Sequence, residues 1–389
     1  MANPFSFGSP VSGDRFDDRQ TETRFLVRHI VAGQNVVLTS PRRYGKTSLL
    51  LRAVTQARRR HKARVGIASL LRCSSRREVA EEVTRAVIDG ALGWMVGTAE
   101  QVGERLRRLP RVTPSLEHEG WRFALAISGG ADDFLSDIRR PIELLADSRR
   151  DGHPVCLVLD EFQQIAEIDH YLAGFFKTVI DDLPGISLIF SGSRRHMMER
   201  LFVGSGAALK NAAEPLSLEV IPESEMVRFL MQRMASAGRQ LTDPAARLVY
   251  RLMRGIPHFV QLLASAVYDQ DVEVADEDAV RAALVEVLTR QRADLATRYE
   301  GLPMNQRKLM RGLARTPVRD LLSRDSLRRL EMSPASAQRA RDALRQAEQI
   351  EFDERLGWRV SDPVFERWLR YGLDLDLGAA IAPTAIEDA

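Results

Sequence analysis

The sequence predicts an α/β protein in which a parallel β-sheet, covered by helices on both faces, is followed by a helical segment and a small terminal unit. Short, wholly apolar runs separate segments of helical periodicity over the first 221 residues. Strands that are buried on both faces read as continuous hydrophobic stretches, so this alternation indicates a parallel sheet. Beyond residue 221 amphipathic helices dominate, and two short strand-like pieces come last.

In the first part, strands are expected at 36–38, 65–71, 155–159, 186–190 and 216–221. Helices are expected at 25–32, 75–87 and 134–145. Pro141 is expected to end one helix and begin another, because proline lacks a backbone N–H and clashes with the preceding turn. The stretch 92–130 does not follow the alternation and is expected to be an insertion.

The second part contains predicted amphipathic helices at 226–235, 245–253, 259–267 and 279–295. Ser333 followed by Pro334 predicts a helix start that continues to about residue 346, since serine caps helices and proline fits their first position. Strand-like pieces at 350–352 and 358–360 complete a predicted winged helix-turn-helix. The expected domains are a core at 1–221, a helical lid at 222–300, a winged helix at 301–371 and an acidic flexible tail at 372–389.

The composition is that of a soluble globular protein, with 44% hydrophobic residues, 28% charged residues and a net charge of +3 over 389 residues. This net charge does not indicate a nucleic-acid partner for the whole molecule. Cys73 and Cys156 are too few for a disulfide framework and fit no metal-ligand spacing. No apolar run approaches the roughly 18 residues of a membrane span, and a cytoplasmic location without a membrane partner is expected.

A phosphate-binding loop follows the first predicted strand. It reads Ser40-Pro41-Arg42-Arg43-Tyr44-Gly45-Lys46-Thr47-Ser48. The P-loop pattern requires glycine, four residues, then Gly-Lys-Ser/Thr between a strand and a helix, so that backbone N–H groups and the helix N-terminus converge on phosphates. Lys46 is expected to reach the β- and γ-phosphates, and Thr47 to bind Mg²⁺. Ser40 replaces the first glycine, which is tolerable where φ stays negative.

A second motif lies at the end of the predicted strand 155–159, where Asp160 and Glu161 follow an apolar run. Asp160 is expected to hold Mg²⁺, and Glu161 to orient and deprotonate the attacking water. The strand at 186–190 is followed by Ser191 and Ser193, either of which could lie near the γ-phosphate in a P-loop NTPase with an additional strand. A plain turn is the alternative interpretation of these serines.

The ordered set of motifs resembles the prokaryotic archaeal-type AAA+-like ATPases, a P-loop NTPase family related to the STAND and origin-initiator ATPases. The landmarks stand here as Asn3-Pro4-Phe5, Phe16-Asp17-Asp18-Arg19 with Glu22, Ser40 to Ser48, Leu159-Asp160-Glu161-Phe162-Gln163, Phe190-Ser191-Gly192-Ser193-Arg194-Arg195-His196-Met197-Met198 and Gly255-Ile256-Pro257. The resemblance implies an AAA+/STAND-like parallel-sheet core with a helical lid and a C-terminal winged helix. ATP and Mg²⁺ are the implied ligands, and slow ATP hydrolysis is the implied reaction.

Further site residues come from the resemblance alone. The segment containing Phe16 and Arg19 would pack beside the adenine, and Pro257 would contact the nucleotide from the lid. An ordinary helix start is the alternative for Pro257. His258 stands where initiator ATPases carry an arginine sensor, which leaves that role open. The residues considered as a finger towards a neighbouring subunit are Lys210, Arg194 and Arg195.

The predicted winged helix carries 15 basic and 10 acidic side chains, a net of +5 over residues 303–371. Arg339, Arg341 and Arg345 lie on its candidate recognition helix, preceded by Arg328 and Arg329, which is compatible with double-stranded DNA. Winged helices also mediate protein contacts. The alternatives are therefore a DNA-coupled ATP switch, a STAND-like signalling or defence scaffold that self-oligomerises or binds a protein partner, and a nucleotide-binding regulator with negligible hydrolysis.

Overall fold

The computed structural model describes residues 3–8, 19–92, 112–117, 120–125 and 134–372, which form two compact units. The first unit contains the described residues from 19 to 219. The second contains residues 3–8 together with 220–372. Among the residues thus described, none of the helices combines the length and the apolar character that crossing a membrane requires.

The first unit is built on a five-stranded parallel sheet. Its strands and those of the inserted hairpin are β1 (Val36–Thr39), β2 (Arg64–Ser69), β3 (Val112–Glu117), β4 (Gly120–Leu125), β5 (Val155–Asp160), β6 (Ser187–Gly192) and β7 (Glu214–Ser217). The sheet order is β2-β5-β6-β1-β7, and β3 pairs only with β4, as an antiparallel hairpin. An additional strand, β6, thus lies between β1 and β5, and both of its pairings are parallel.

Helices cover both faces of this sheet. They are α1 (Gln20–Ala32), α2 (Lys46–His61), α3 (Arg76–Leu92), α4 (Phe134–Asp147), α5 (Ile165–Ile168), α6 (Tyr171–Asp182) and α7 (Arg195–Phe202). Strand residues alternate between two hydrophobic clusters: Val36 packs with α1 and α2, whereas Val37 packs in the cluster of α3, α4 and α6. Each fully buried aliphatic side chain contributes about 1.5–3 kcal/mol, which explains why wholly apolar strands form here.

The prediction that Pro141 separates two helices is wrong, because α4 runs continuously through it. Ile138, Ile142 and Leu145 on either side of the proline are fully buried in the same cluster. An interior proline costs about 3 kcal/mol, and burial of this apolar face is large enough to offset it. The last core strand also differs from its prediction: β7 comprises Glu214–Ser217 and ends before the expected run to residue 221.

The second unit is mainly helical. Its helices are α8 (Glu223–Ser236), α9 (Asp243–Leu252), α10 (Pro257–Asp269), α11 (Glu277–Arg290), α12 (Arg292–Glu300), α13 (Met304–Arg315), α14 (Arg324–Leu330), α15 (Pro334–Gln346) and α16 (Pro363–Arg367). Its short strands are β8 (Gln240–Leu241), β9 (Val274–Ala275), β10 (Ile350–Asp353) and β11 (Gly357–Val360). The single helix predicted at 279–295 is instead two helices, because α11 ends at Arg290 and α12 begins at Arg292.

The last part of this unit has the order of elements expected of a winged helix. Helices α13, α14 and α15 precede the antiparallel hairpin β10–β11, and Val318 forms an isolated bridge with Trp358 of that hairpin. The Ser333 hydroxyl accepts a hydrogen bond from the Ser336 N–H, and Pro334 occupies the first helical position, as the sequence indicates. The assignment as a winged helix is an interpretation of this order.

Two arginines join the earlier helices of the second unit to its last part, around residues 360–365. The Arg254 guanidinium donates to the carbonyls of Val360 and Ser361 at 2.8 and 2.7 Å. Arg298 donates to the Asp362 carboxylate at 3.1 Å and lies over the Phe365 ring at 4.2 Å. The expected lid at 222–300 and winged helix at 301–371 therefore belong to one compact unit.

The N-terminal segment packs with the second unit, although the sequence analysis places it in the core domain 1–221. The Asn3 amide donates to the carbonyl and hydroxyl of Ser265 at 3.1 and 2.9 Å, and to the Asp269 carboxylate at 2.8 Å. The Ser6 N–H donates to the Gln261 side chain at 3.2 Å, and Phe5 is buried. These contacts with α10 explain why residues 3–8 group with the C-terminal half of the chain.

Candidate nucleotide-binding site

The loop from Ser40 to Gly45 joins β1 to α2. Arg43 and Gly45 have positive φ values of 73° and 88°, while Ser40 does not. The Ser40 side chain is buried, its hydroxyl donates to the Pro41 carbonyl at 2.8 Å, and its N–H donates to the Gly192 carbonyl at 3.3 Å. Serine is therefore accommodated without backbone strain at the position where the P-loop pattern has glycine.

Lys46, the first residue of α2, reaches the end of β5. Its Nζ donates to the Asp160 Oδ1 and the Glu161 Oε1, both at 2.7 Å. The three side chains are 8, 13 and 16% exposed in that order, so the ion pairs are largely shielded from water. The carboxyl ends of parallel strands meet at one edge of a sheet, which is where open α/β proteins bind ligands.

The register of β5 and β6 fixes the position of Asp160. Asp160 lies directly opposite Ser191, and the Ser191 hydroxyl donates to the Asp160 Oδ1. The N–H of Glu161 donates to the same oxygen at 3.0 Å. The Asp160 carboxylate is thus oriented from three sides, by a lysine, a serine and a backbone amide.

Glu161 follows β5 in the left-handed conformation, with φ of 55°. Its Oε2 accepts hydrogen bonds from the Ser193 hydroxyl at 2.9 Å and the Gln163 Nε2 at 2.5 Å. Burial by itself would raise the pKa of Glu161, yet the Lys46 ammonium and the hydrogen bonds from Lys46, Gln163 and Ser193 lower that pKa below its ordinary value. Glu161 is therefore held as a carboxylate, the form that can accept a proton.

The remaining loop residues divide by exposure. Arg42, Arg43 and Thr47 are exposed, Pro41 and Gly45 are half-buried, and Tyr44 and Ser48 are buried. The described residues include no cluster of three or more His, Cys, Asp or Glu side chains that could hold a metal ion. The Thr47 hydroxyl and the Asp160 carboxylate fit Mg²⁺ nonetheless, because this ion is commonly bound through one or two protein oxygens, substrate phosphates and water.

Arg19 contacts the loop in a way that the sequence did not indicate. Its guanidinium donates to the carbonyls of Tyr44 at 3.2 Å and Glu219 at 2.6 Å, and pairs with Glu22 at 3.0 Å. This buried arginine therefore links the loop between β1 and α2 to the segment that follows β7. Phe16 lies outside the described residues, and adenine contact by either residue stays a prediction.

The remaining residues carried over from the resemblance are divided between the two units. Pro257 belongs to the second unit, where it is buried at the start of α10 after Gly255, whose φ is 65°. Pro257 therefore has a structural role as the first residue of α10, and its contact with nucleotide stays a prediction. Its neighbour His258 lies edge-on to the Phe7 ring at 6.4 Å between centroids.

The three candidate finger residues belong to the first unit. Arg194 pairs with Glu167, Arg195 pairs with Glu199 at 3.3 Å, and Lys210 is exposed. Both arginines are thus engaged within their own unit, and a role for any of the three towards a neighbouring subunit stays a prediction.

Gln163 is the site residue that sequence reasoning missed. It stands in the Asp160 to Gln163 landmark, but no role was assigned to it. Its side chain is 3% exposed and donates to Glu161. The sequence does contain one indication of such a role. Gln163 is polar, whereas its buried neighbours Phe162 and Ile165 are apolar.

Comparisons with known proteins agree with this architecture. No protein-family model matches the chain, and no curated protein is similar to it in sequence. The Walker-type ATPase of Pyrococcus abyssi is 16% identical, with a TM-score of 0.65, and the match covers 94% of this chain and 99% of that one. The ORC2 protein of Aeropyrum pernix, solved in ADPNP–ADP complexes, is 12% identical, with a TM-score of 0.54 and coverage of 95% and 98%.

At these identities the likeness concerns the fold. The chain has the fold of the AAA+ P-loop ATPases, and the α/β prediction with its parallel sheet is confirmed. The relation to STAND proteins stays a prediction.

Proposed function

We propose that this protein binds ATP with Mg²⁺ at the edge formed by β1, β5 and β6 and hydrolyses it to ADP and phosphate. The observation that carries the proposal is the placement of Lys46, whose Nζ lies 2.7 Å from both Asp160 and Glu161. A lysine at the start of α2, two carboxylates after β5 and hydroxyls after β6 are the groups that phosphate binding and water activation require. The ADPNP–ADP complexes of the similarly folded ORC2 protein support the choice of nucleotide.

Each side chain has one task in the proposed reaction. Backbone N–H groups of the loop and the N-terminus of α2 bind the phosphates, and Lys46 exchanges its carboxylate contacts for phosphate oxygens. Thr47 and Asp160 would hold Mg²⁺, which when bound neutralises charge on the phosphates. Glu161 accepts a proton from the attacking water as a carboxylate, and the departure of the Lys46 ammonium to the phosphates removes one cause of its lowered pKa and makes it a stronger base.

The test compares ATP binding and phosphate release in wild type, Lys46→Ala and Glu161→Gln. Lys46→Ala should lose ATP affinity, whereas Glu161→Gln should retain binding and lose turnover, because only the proton acceptor is removed. Lys177→Ala is a matched control, since Lys177 is an exposed lysine paired with Asp181 on α6. Failure of the wild type to bind ATP in the presence of Mg²⁺ would refute the proposal. Slow turnover that Glu161→Gln leaves unchanged would favour a regulator that binds nucleotide without significant hydrolysis.

A second candidate function is DNA binding through α15, favoured by the exposure of Arg339 and Arg345 on this helix. The hairpin β10–β11 adds no net positive charge, because Arg355 and Arg359 are outnumbered by Glu351, Asp353 and Glu354. Arg359 is moreover paired with Glu351 at 2.8 Å and Asp353 at 3.0 Å. We therefore expect phosphate contacts to come from the helix, and binding to weaken as salt concentration rises.

The DNA proposal is tested with double-stranded DNA at several salt concentrations, with ATP, with ADP and without nucleotide. The double variant Arg339→Ala/Arg345→Ala should weaken binding. It should also make the plot of log binding constant against log salt concentration less steep, by the amount expected for about two lost phosphate contacts. Arg251→Ala is the control, because Arg251 is exposed on α9 of the same unit. Absence of salt-sensitive binding in every nucleotide state would refute this candidate.

The alternative is a STAND-like scaffold that assembles with ATP and recruits a protein partner. It differs from the DNA candidate in its readout, because light scattering should then show a nucleotide-dependent increase in mass. A protein that stays monomeric with and without nucleotide would rule out this scaffold.

A further inference from the structure

Gln163 lies in the 3₁₀ turn Phe162–Gln164, immediately after β5 and Glu161. Its side chain is 3% exposed, and its Nε2 donates to the Glu161 Oε2 at 2.5 Å. The next residue, Gln164, has the same chemistry but points elsewhere, donating to the Glu167 carboxylate at 3.1 Å. Two adjacent glutamines thus differ in whether they contact the proposed proton acceptor.

The other end of the Gln163 amide has no hydrogen-bond partner. Its Oε1 is buried and unpaired among the described residues. An unpaired buried carbonyl lowers stability, whereas a leucine of similar size would avoid that cost. Packing alone therefore does not explain a glutamine at this position.

Gly192 makes room for the amide. A Cβ added to Gly192 would lie 2.4 Å from the Gln163 Oε1 and 2.6 Å from the Met198 Sδ. The φ of Gly192 is not positive, so the glycine is required by space and not by backbone conformation. The absence of a side chain at the end of β6 thus leaves room for the Gln163 amide beside Glu161.

The two oxygens of Glu161 have different partners. Gln163 and Ser193 both donate to Oε2, while Lys46 contacts Oε1. If Lys46 turns to nucleotide phosphates, as the proposed function requires, the two donors on Oε2 still fix the carboxylate and leave Oε1 to accept a proton. From this division we infer that Gln163 is a positioning residue for Glu161, which it orients for ATP hydrolysis; the inference rests on the proposed function.

The test is Gln163→Leu, with Gln164→Leu as the matched control. Losing a hydrogen bond to a charged group should lower kcat for ATP hydrolysis by about tenfold to a hundredfold. The KM for ATP and the Kd for ADPNP should stay within about twofold of wild type, because Gln163 is not expected to contact nucleotide. The melting temperature should change little, because the lost hydrogen bond to Glu161, whose Oε2 keeps the Ser193 hydroxyl, is offset by removal of an unpaired buried carbonyl. Gln164→Leu should behave as wild type.

Gly192→Ala gives an independent check, because its methyl group displaces the Gln163 amide. It should lower kcat in the wild-type background and much less in the Gln163→Leu background, where there is no amide to displace. Equal effects in both backgrounds would contradict the inference.

Three other outcomes are informative. Unchanged kcat in Gln163→Leu, with turnover abolished by Glu161→Gln, would overturn the inference and leave the proposed function intact. A lower melting temperature together with a raised KM would indicate a structural role and would also overturn it. A wild type that binds no ATP would remove the proposed function itself.

Discussion

Replacing Lys46 by alanine should destabilise the first unit even without nucleotide. In the wild type the Asp160 and Glu161 carboxylates are only 13 and 16% exposed, and the variant removes the ammonium that lies 2.7 Å from both. Removing one partner of a buried ion pair costs about 3–5 kcal/mol, because the remaining charge stays desolvated. For a unit of about 200 residues, each kcal/mol lowers the melting temperature by about 2–4 °C, so a fall of about 6–20 °C is expected.

This destabilisation should depend on pH. In the wild type the pKa of Glu161 is lowered from 4.5, so its contribution to stability is present above that value and is lost as pH falls through the folded-state pKa. In Lys46→Ala, loss of the ammonium should raise the pKa of Glu161 relative to the wild type, and protonation at lower pH then removes the uncompensated buried charge. The difference between variant and wild type should therefore be smaller at pH 5 than at pH 8.

Differential scanning calorimetry at pH 5 and pH 8 measures both effects. Lys177→Ala is the control, because Lys177 and Asp181 form an exposed pair one helical turn apart. Such a pair is worth about 0.3–0.5 kcal/mol, and the melting temperature should change by less than about 2 °C. A Lys46→Ala protein as stable as this control, or equally destabilised at both pH values, would refute the reasoning.

Three further predictions concern other parts of the molecule. Gly255→Ala should destabilise the second unit by more than about 1 kcal/mol in urea unfolding, because φ is 65° and a Cβ would lie 2.6 Å from the Tyr250 ring. Arg254→Ala should cost about 2–3 kcal/mol in the same assay, and Arg254→Lys should restore only part of the loss, since an ammonium has its donors on one nitrogen whereas the guanidinium meets the Val360 and Ser361 carbonyls with two separate nitrogens. Cys73 and Cys156 should resist a thiol reagent at pH 8 until the protein unfolds, because burial raises their pKa values to about 11 and about 12; rapid labelling of the native protein would contradict this.

The meeting of Lys46, Asp160 and Ser191 could be predicted because these residues lie at or beside strand ends. A parallel sheet brings the ends of β1, β5 and β6 to one edge, so Lys46, Asp160 and Ser191 meet although they are far apart in sequence. The motifs also specify the conformation, since Gly45 supplies a positive φ directly before α2. Local pattern and topology were therefore sufficient for these residues.

Other features depend on tertiary packing that local patterns do not contain. Pro141 stays inside a helix because the residues around it are buried. Gln163 contacts Glu161 because Gly192, at the end of β6, leaves room for its amide. Arg19 contacts a loop carbonyl 25 residues away and another 200 residues away, so its sequence neighbours carry no sign of that role. The contacts of Asn3 with α10 likewise cannot be inferred from the residues next to Asn3 in the sequence.

Those Asn3 contacts have a consequence for biosynthesis. Asn3 and its partner Ser265 are separated by 262 positions, so the N-terminal segment leaves the ribosome long before α10 exists. At about 5–20 residues per second, roughly 13–52 s elapse between the two events. The residues of the first unit are synthesised within this interval and can fold in it. Phe5, which is buried in the folded protein, stays exposed to solvent until the second unit has been synthesised. The second unit can therefore complete its packing only after α10 contacts a segment that was synthesised before the whole of the first unit.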